Sequence, residues 1–157
     1  MSREIRGDRW LEGYVPYLLY RVTNKLNARL LARLRITKTN PARWRVLSVL
    51  RAHGTLTVGE IVDSTLMGQP RVSRVVAQLE REGRVTRSPG REDSRVRRVA
   101  LTAKGVATFE AIVPTALRHQ ELALRGLSRK DIEAVKRVLA RIERNIDQAN
   151  DAVSVSS

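Results

Sequence analysis

From Pro70 to Gly83 the chain carries two faces that only a helix can separate. Val72, Val75, Val76 and Leu79 stand at i, i+3, i+4 and i+7, the spacing of one apolar helical stripe. At 100° per residue, Arg71, Arg74, Gln78 and Arg81 fall within an arc of about 80° on a different face. The first face must be buried against neighbouring elements. The second is left to solvent or to an anion.

The flanking sequence supplies those neighbours. A helical pattern runs from about Pro16 to Ile36, with Leu19, Val22, Leu26, Leu30 and Leu34 three or four apart and Leu18 and Leu31 widening the stripe. A stripe this wide near a terminus suits either its own chain or a helix of a second subunit. Asn40-Pro41 reads as an N-cap followed by proline in the first turn, opening a helix that buries Trp44, Leu47 and Leu50 and stops at His53-Gly54. Thr57-Val58-Gly59-Glu60 is a capping box for a short helix that ends in the turn around Leu66-Met67-Gly68. After Gly83 come two strand-like pieces, 84–87 and 95–101. The polar loop Ser88-Pro89-Gly90-Arg91-Glu92-Asp93-Ser94 joins them into a predicted β-hairpin. Thr102 caps a helix of about twenty residues with Pro114 as a candidate kink, and Ser128 opens another that carries Ile132, Val135, Val138, Leu139 and Ile142. The small, polar tail 151–157 is expected to be disordered.

The predicted order is helix, helix, short helix, helix, hairpin, then two helices. Two short helices joined by a tight turn, the second basic on its exposed face, make a helix-turn-helix, and a hairpin directly after it makes a winged helix. The fold class is therefore mainly α. Residues 37–101 would form the winged helix-turn-helix lobe. Residues 1–36 and 102–150 carry terminal helices whose wide apolar stripes are hard to bury in one chain of 157 residues, so they would supply N- and C-terminal dimerisation helices.

Charge bears on the partner. The 157 residues carry a formal charge of +14, and 25 of the 30 basic residues are Arg. A GC-rich coding sequence would favour Arg over Lys but leaves the net charge unexplained. Nucleic acid, an anionic membrane or another acidic surface fits such a surplus. The surplus is local as well. Residues 68–98 hold nine Arg and four acidic residues, a net +5.

Several classes drop out. The chain has no Cys, which removes disulfides, thiol chemistry and Cys-ligated zinc. His53 and His119 match no metal spacing, and there is no nucleophile–base pair or Gly-rich phosphate loop, so neither an enzyme nor a cofactor is expected. No window approaches the ~18 apolar residues of a spanning helix. The charged N-terminus lacks a signal-peptide core, which makes the cytoplasm the expected location. The Val-rich apolar face of the 70–83 helix suits a protein core better than a membrane surface.

Ordered motifs carry a specific resemblance. Trp44 to Leu50, Pro70 to Val76, Leu79 to Gly83, Asp93-Ser94-Arg95, and Leu101-Thr102-Ala103-Lys104-Gly105 together resemble the second helix, recognition helix, wing motif and following helix entry of MarR-type winged-helix regulators. The resemblance runs from about Tyr17 to Asn145. Arg97, where the return strand is often apolar, and Val62, where Ala is commoner, depart from the pattern. The resemblance implies a homodimer on double-stranded DNA with a palindromic operator. It also implies repression, or sometimes activation, relieved by a small aromatic or lipophilic acid. A two-fold protein suits a palindromic site. On this reading Gln69, Arg71, Ser73 and Arg74 are candidates for the major groove. Arg91 and Arg95 are candidates for the wing contact, and Asp93 shapes the wing. Thr39, Arg43 and Arg45 are candidates for backbone phosphate or a ligand crevice. Tyr17, Tyr20, Trp44 and His53 are candidates for a ligand pocket, although Trp44 also reads as core and His53 as a helix-end residue. An architectural, non-specific DNA-binding protein on the same fold is the alternative; it would lack the roughly 10³-fold preference of a regulator for its operator.

Overall fold

The computed structural model describes residues 10–34, 39–90 and 96–154. In chain order its elements are α1 (Trp10–Gly13), α2 (Val15–Leu34), α3 (Pro41–His53), β1 (Leu56–Thr57), α4 (Val58–Thr65), α5 (Gln69–Arg81), β2 (Val85–Pro89), β3 (Arg97–Leu101), α6 (Ala103–Ala123) and α7 (Arg129–Ser154). The chain divides into two compact units after His119, within α6.

In the first unit the core lies among α3, α4, α5 and the sheet. Val46, Leu47, Leu50, Ile61, Val72, Val76, Leu79, Val85 and Val99 are its centre. All four members of the stripe on α5 are buried, so the apolar face read from the sequence is the packing face. On α2 the stripe is split. Leu34 is fully buried and Leu30 packs against the core, whereas Leu18, Leu19 and Val22 stay exposed.

The local signals act as the capping chemistry requires. The Asn40 side chain accepts from the Arg43 N–H at 3.0 Å. Thr57 and Glu60 form the reciprocal box, the Thr57 N–H donating to Glu60 Oε2 at 2.6 Å and the Glu60 N–H to Thr57 Oγ1 at 3.2 Å. Helix α5 ends in a Schellman arrangement. Gly83 takes φ 67°, and the Arg84 N–H donates to the Leu79 carbonyl at 2.8 Å. In the helix-turn-helix turn the left-handed position belongs to Leu66, at φ 53° and 90% exposed, and the next residue, Met67, is buried.

The sheet has three antiparallel strands in the order β1-β3-β2. In the hairpin Val85 pairs with Leu101 and Pro89 with Arg97, and the Gly90 N–H donates to the Val96 carbonyl at 2.7 Å. The strand predicted from Arg84 starts one residue later because the Arg84 N–H closes the helix end and its carbonyl accepts from the Thr102 N–H. It runs on through Pro89, which an edge strand tolerates. Strand β1, unforeseen from the sequence, pairs Leu56 with Val99 and Thr57 with Arg98; two residues are too short to show an alternation.

Helix α6 continues through Pro114. In the second unit α7 leaves Val135, Val138, Leu139 and Ile146 exposed along its length. It runs to Ser154, which corrects the expected disorder of the tail from Asp151 to that point. No Gly or Pro interrupts residues 129–154, and Ala149 and Ala152 favour continuation. Residues 155–157 lie outside the described ones.

Candidate nucleic-acid interface

Burying one face of α5 fixes where its other face points. Gln69, Arg71, Arg74, Gln78 and Arg81 are exposed and Ser73 is half-buried. Gln69 is the first residue of the helix, and the preceding Gly68 makes no side-chain cap bond. Pro70 has no N–H and the Arg71 N–H donates to the Gly68 carbonyl at 3.0 Å, so what the helix start offers beside Gln69 and Arg71 is the partial positive charge of its dipole. Arg74 folds back so that its Nε donates to the Pro70 carbonyl at 3.2 Å.

The acids of α5 and its exit are paired with arginines of other segments. Glu82 forms a two-pronged pair with Arg43 of α3, whose Nη1 donates to Oε1 at 2.9 Å while Nη2 donates to Oε2. The same Oε2 accepts from Arg84. Glu80 lies 3.4 Å from Arg87 Nε on β2. Arg43, a sequence candidate for phosphate contact, is thus withdrawn from any ligand. Its side chain is 8% exposed, and burial holds its pKa below the usual guanidinium value. Arg84 is lowered too, by burial and by the charge of Arg43. With Glu80 and Glu82 occupied in this way, Arg71, Arg74 and Arg81 are left without a carboxylate partner among the described residues. The outer face of α5 is cationic because its anions serve the fold.

Arg71, Arg74 and Gln78 also form one wall of an open cleft of about 850 Å³, faced by Asn24, Asn27 and Leu31 of α2 and by Arg45 of α3. Arg45 Nη2 donates to Asn27 Oδ1 at 3.0 Å. The sequence reading did not find Asn24 and Asn27; their i, i+3 spacing beside an apolar stripe was the available sign.

The other candidates are scattered. Trp44 stacks on Phe109 of α6 with ring centroids 5.1 Å apart and 6° between planes. His53 is exposed at the far end of α3, nine residues or roughly 13 Å of helix away. Tyr17 is half-buried and Tyr20 exposed in the N-terminal half of α2. None of the four lines the cleft. Arg91, Asp93 and Arg95 lie outside the described residues. Arg97 is exposed on β3, and Val62 packs half-buried against the core. Among the described residues no cluster of His, Cys, Asp and Glu could hold a metal, and no helix is long and apolar enough to cross a membrane.

The chain is similar to known proteins in sequence and in fold. Residues 37–96 match the sequence profile of the MarR family. A MarR family transcriptional regulator from Silicibacter pomeroyi is 32% identical and superposes with a TM-score of 0.80, over 88% of this chain and 93% of that one. The HTH-type transcriptional repressor IacR of Pseudomonas putida is 24% identical over 136 residues, 87% of this chain and 81% of that protein. Bordetella bronchiseptica BpsR, whose DNA binding is regulated by 6-hydroxynicotinic acid, is 26% identical with a TM-score of 0.78, over 87% of this chain and 98% of that one. The chain belongs to the MarR family of DNA-binding transcriptional regulators.

Proposed function

We propose that this regulator is a homodimeric repressor that reads a palindromic operator with α5 and is released by a small aromatic or lipophilic acid. The observation that carries the reading is the outer face of α5, where Arg71, Arg74 and Arg81 stand exposed while Glu80 and Glu82 are bound to arginines of neighbouring elements. In this reading Gln69, Arg71, Ser73 and Arg74 meet base edges or adjacent phosphates. The wing residues Arg91 and Arg95 track the backbone toward the minor groove, and Asp93 holds the wing's shape. Residues 37–101 act as the DNA-binding lobe, and the helices of 1–36 and 102–150 as the dimerising part. The exposed apolar residues at the N-terminal half of α2 and along α7 support that division. Repression follows the name of IacR, and acid release follows the behaviour of BpsR. Tyr17, Tyr20, Trp44 and His53 are the aromatic groups available to such a ligand.

Selection of bound sites from a random duplex library, at about 150 mM salt, tests the reading. The expected product is a palindrome with half-sites about 10 base pairs apart. Arg71→Ala should then lose about 1–3 kcal/mol on the selected site and relax one base position. Salt-sensitive binding with no enriched sequence would replace the regulator by an architectural protein.

A further inference from the structure

Apolar packing and ion pairing hold α5 in different ways. Val72, Val76 and Leu79 are fully buried and fix how deep the helix sits. Such contacts are non-directional and leave its angle soft. A forked pair between a guanidinium and a carboxylate fixes a direction as well as a distance. Among the described residues the segment 69–84 makes one such fork with another element, and it stands at the exit of α5.

Glu82, the C-cap of α5, receives Arg43 Nη1 on Oε1 at 2.9 Å and Arg43 Nη2 on Oε2, and the same Oε2 receives Arg84 Nη1. Three segments meet in that carboxylate. Arg43 belongs to the first turn of α3, where its own N–H is held by Asn40. Arg84 closes the end of α5 with its N–H, accepts from the Thr102 N–H with its carbonyl, and precedes the first residue of β2. Neither Arg43 Nε nor Arg84 Nε finds an acceptor among the described residues, so Glu82 is the group on which both guanidiniums depend. Without its charge, a buried and a half-buried cation would repel each other at the joint of α3, α5 and the hairpin.

The end of α5 held by this joint is not the end assigned to reading. Eleven residues, roughly 16 Å of helix, separate Glu82 from Arg71. A tilt of about 4° at the exit carries Arg71 about 1 Å sideways, whereas contacting groups need placement within about 0.5 Å. A phosphate contact through a long side chain absorbs such a shift. A bidentate contact to a base edge does not.

We infer that Glu82 and Arg43 are positioning residues for sequence reading: their fork sets the angle of α5, and with it the discrimination between the operator and other duplexes. The assignment rests on the DNA-reading role proposed above for α5.

The test compares the full wild-type chain with Glu82→Gln, Arg43→Gln and Arg43→Lys at about 150 mM salt. Each protein is titrated with the duplex that wild type enriches from a random library and with a scrambled duplex of the same composition. The readout is the ratio of the two Kd values. A smaller folded fraction weakens both titrations equally and cancels from that ratio, so lost stability does not move it. The three variants raise, lower and keep the net charge, so a general electrostatic effect would shift both affinities together and leave the ratio alone. All three should lower the preference for the operator by about fivefold or more, the worth of one base contact. Arg43→Lys keeps the charge and loses the fork, and it carries the decision if a Gln variant fails to fold. A wild-type ratio retained by any folded variant would overturn the assignment and leave the operator reading standing. A ratio near one in wild type itself would sink the operator reading and the assignment with it.

Discussion

Gly105 offers the sharpest test of how α6 is attached to the winged helix. A Cβ built on it would stand 2.0 Å from the Arg84 carbonyl oxygen and 3.2 Å from Leu101 Cδ2. Arg84 is backbone at the Schellman end of α5, so relief requires the first turn of α6 to move by about 1 Å. That turn is tied down by three hydrogen bonds. The Thr102 N–H donates to the Arg84 carbonyl at 3.1 Å, Thr102 Oγ1 donates to the Gly83 carbonyl at 2.7 Å, and the Gly105 N–H donates to Thr102 Oγ1 at 3.1 Å. Overpacking costs about 1–3 kcal/mol, and weakening one or two of these bonds adds about 1 kcal/mol each. The better helix propensity of Ala returns about 1 kcal/mol at most. Gly105→Ala should therefore destabilise the fold by roughly 2–4 kcal/mol and lower Tm by roughly 5–15 °C for a chain of this size. Gly59→Ala is the matched control, since its added Cβ would meet only Thr57 Oγ1 at 3.8 Å. It should leave stability unchanged or raise it by about 0.5 kcal/mol. Urea unfolding at equal protomer concentration measures both. A Gly105→Ala midpoint at or above the Gly59→Ala midpoint would refute the steric argument.

The remaining predictions concern charge. Glu82→Ala strands Arg43, whose side chain is 8% exposed, and should cost about 3 kcal/mol in urea unfolding. Glu133→Ala, which breaks the solvent-exposed pair with Lys136, should leave the midpoint where it is. Hydrogen bonds from Thr57 hold Glu60 below the usual carboxylate range, and those from Ser128 do the same for Asp131. A native pKa below the unfolded one means that the unfolded chain takes up more protons on acidification. The contribution is thus complete above the ordinary carboxylate pKa of about 4 and is lost as pH falls through the lowered native value. The stability gap between the wild-type protein and Glu60→Gln should accordingly narrow between about pH 5 and pH 2, and a gap independent of pH would contradict the assignment.

What was legible in the sequence is what short-range physics dictates. The stripe on α5, the Asn40 cap, the Thr57–Glu60 box and the Gly54 and Gly83 stops each depend on residues within five positions of one another. The basic arc of α5 was readable for the same reason. Contacts across long separations were not. Arg43 meets Glu82 across 39 residues, and nothing in either segment distinguishes that arginine from Arg45, which stays in the cleft. The net +5 of residues 68–98 also understated the asymmetry, because a sum cannot show that Glu80 and Glu82 are paired with arginines away from the Arg71–Arg74–Arg81 face. The cleft itself depends on how α2 lies against α3 and α5, which periodicity does not encode. Leu66 shows the limit of turn chemistry, since a left-handed position normally assigned to Gly or Asn is held by an exposed leucine.

Thr57 belongs to two elements at once. Its backbone pairs with Arg98 on the central strand of the sheet, and its side chain starts α4. Thr57 thereby couples the hairpin to the helix-turn-helix directly, with Leu56 paired to Val99 beside it. A displacement of the hairpin's central strand therefore reaches the first turn of α4 without passing through a slack loop.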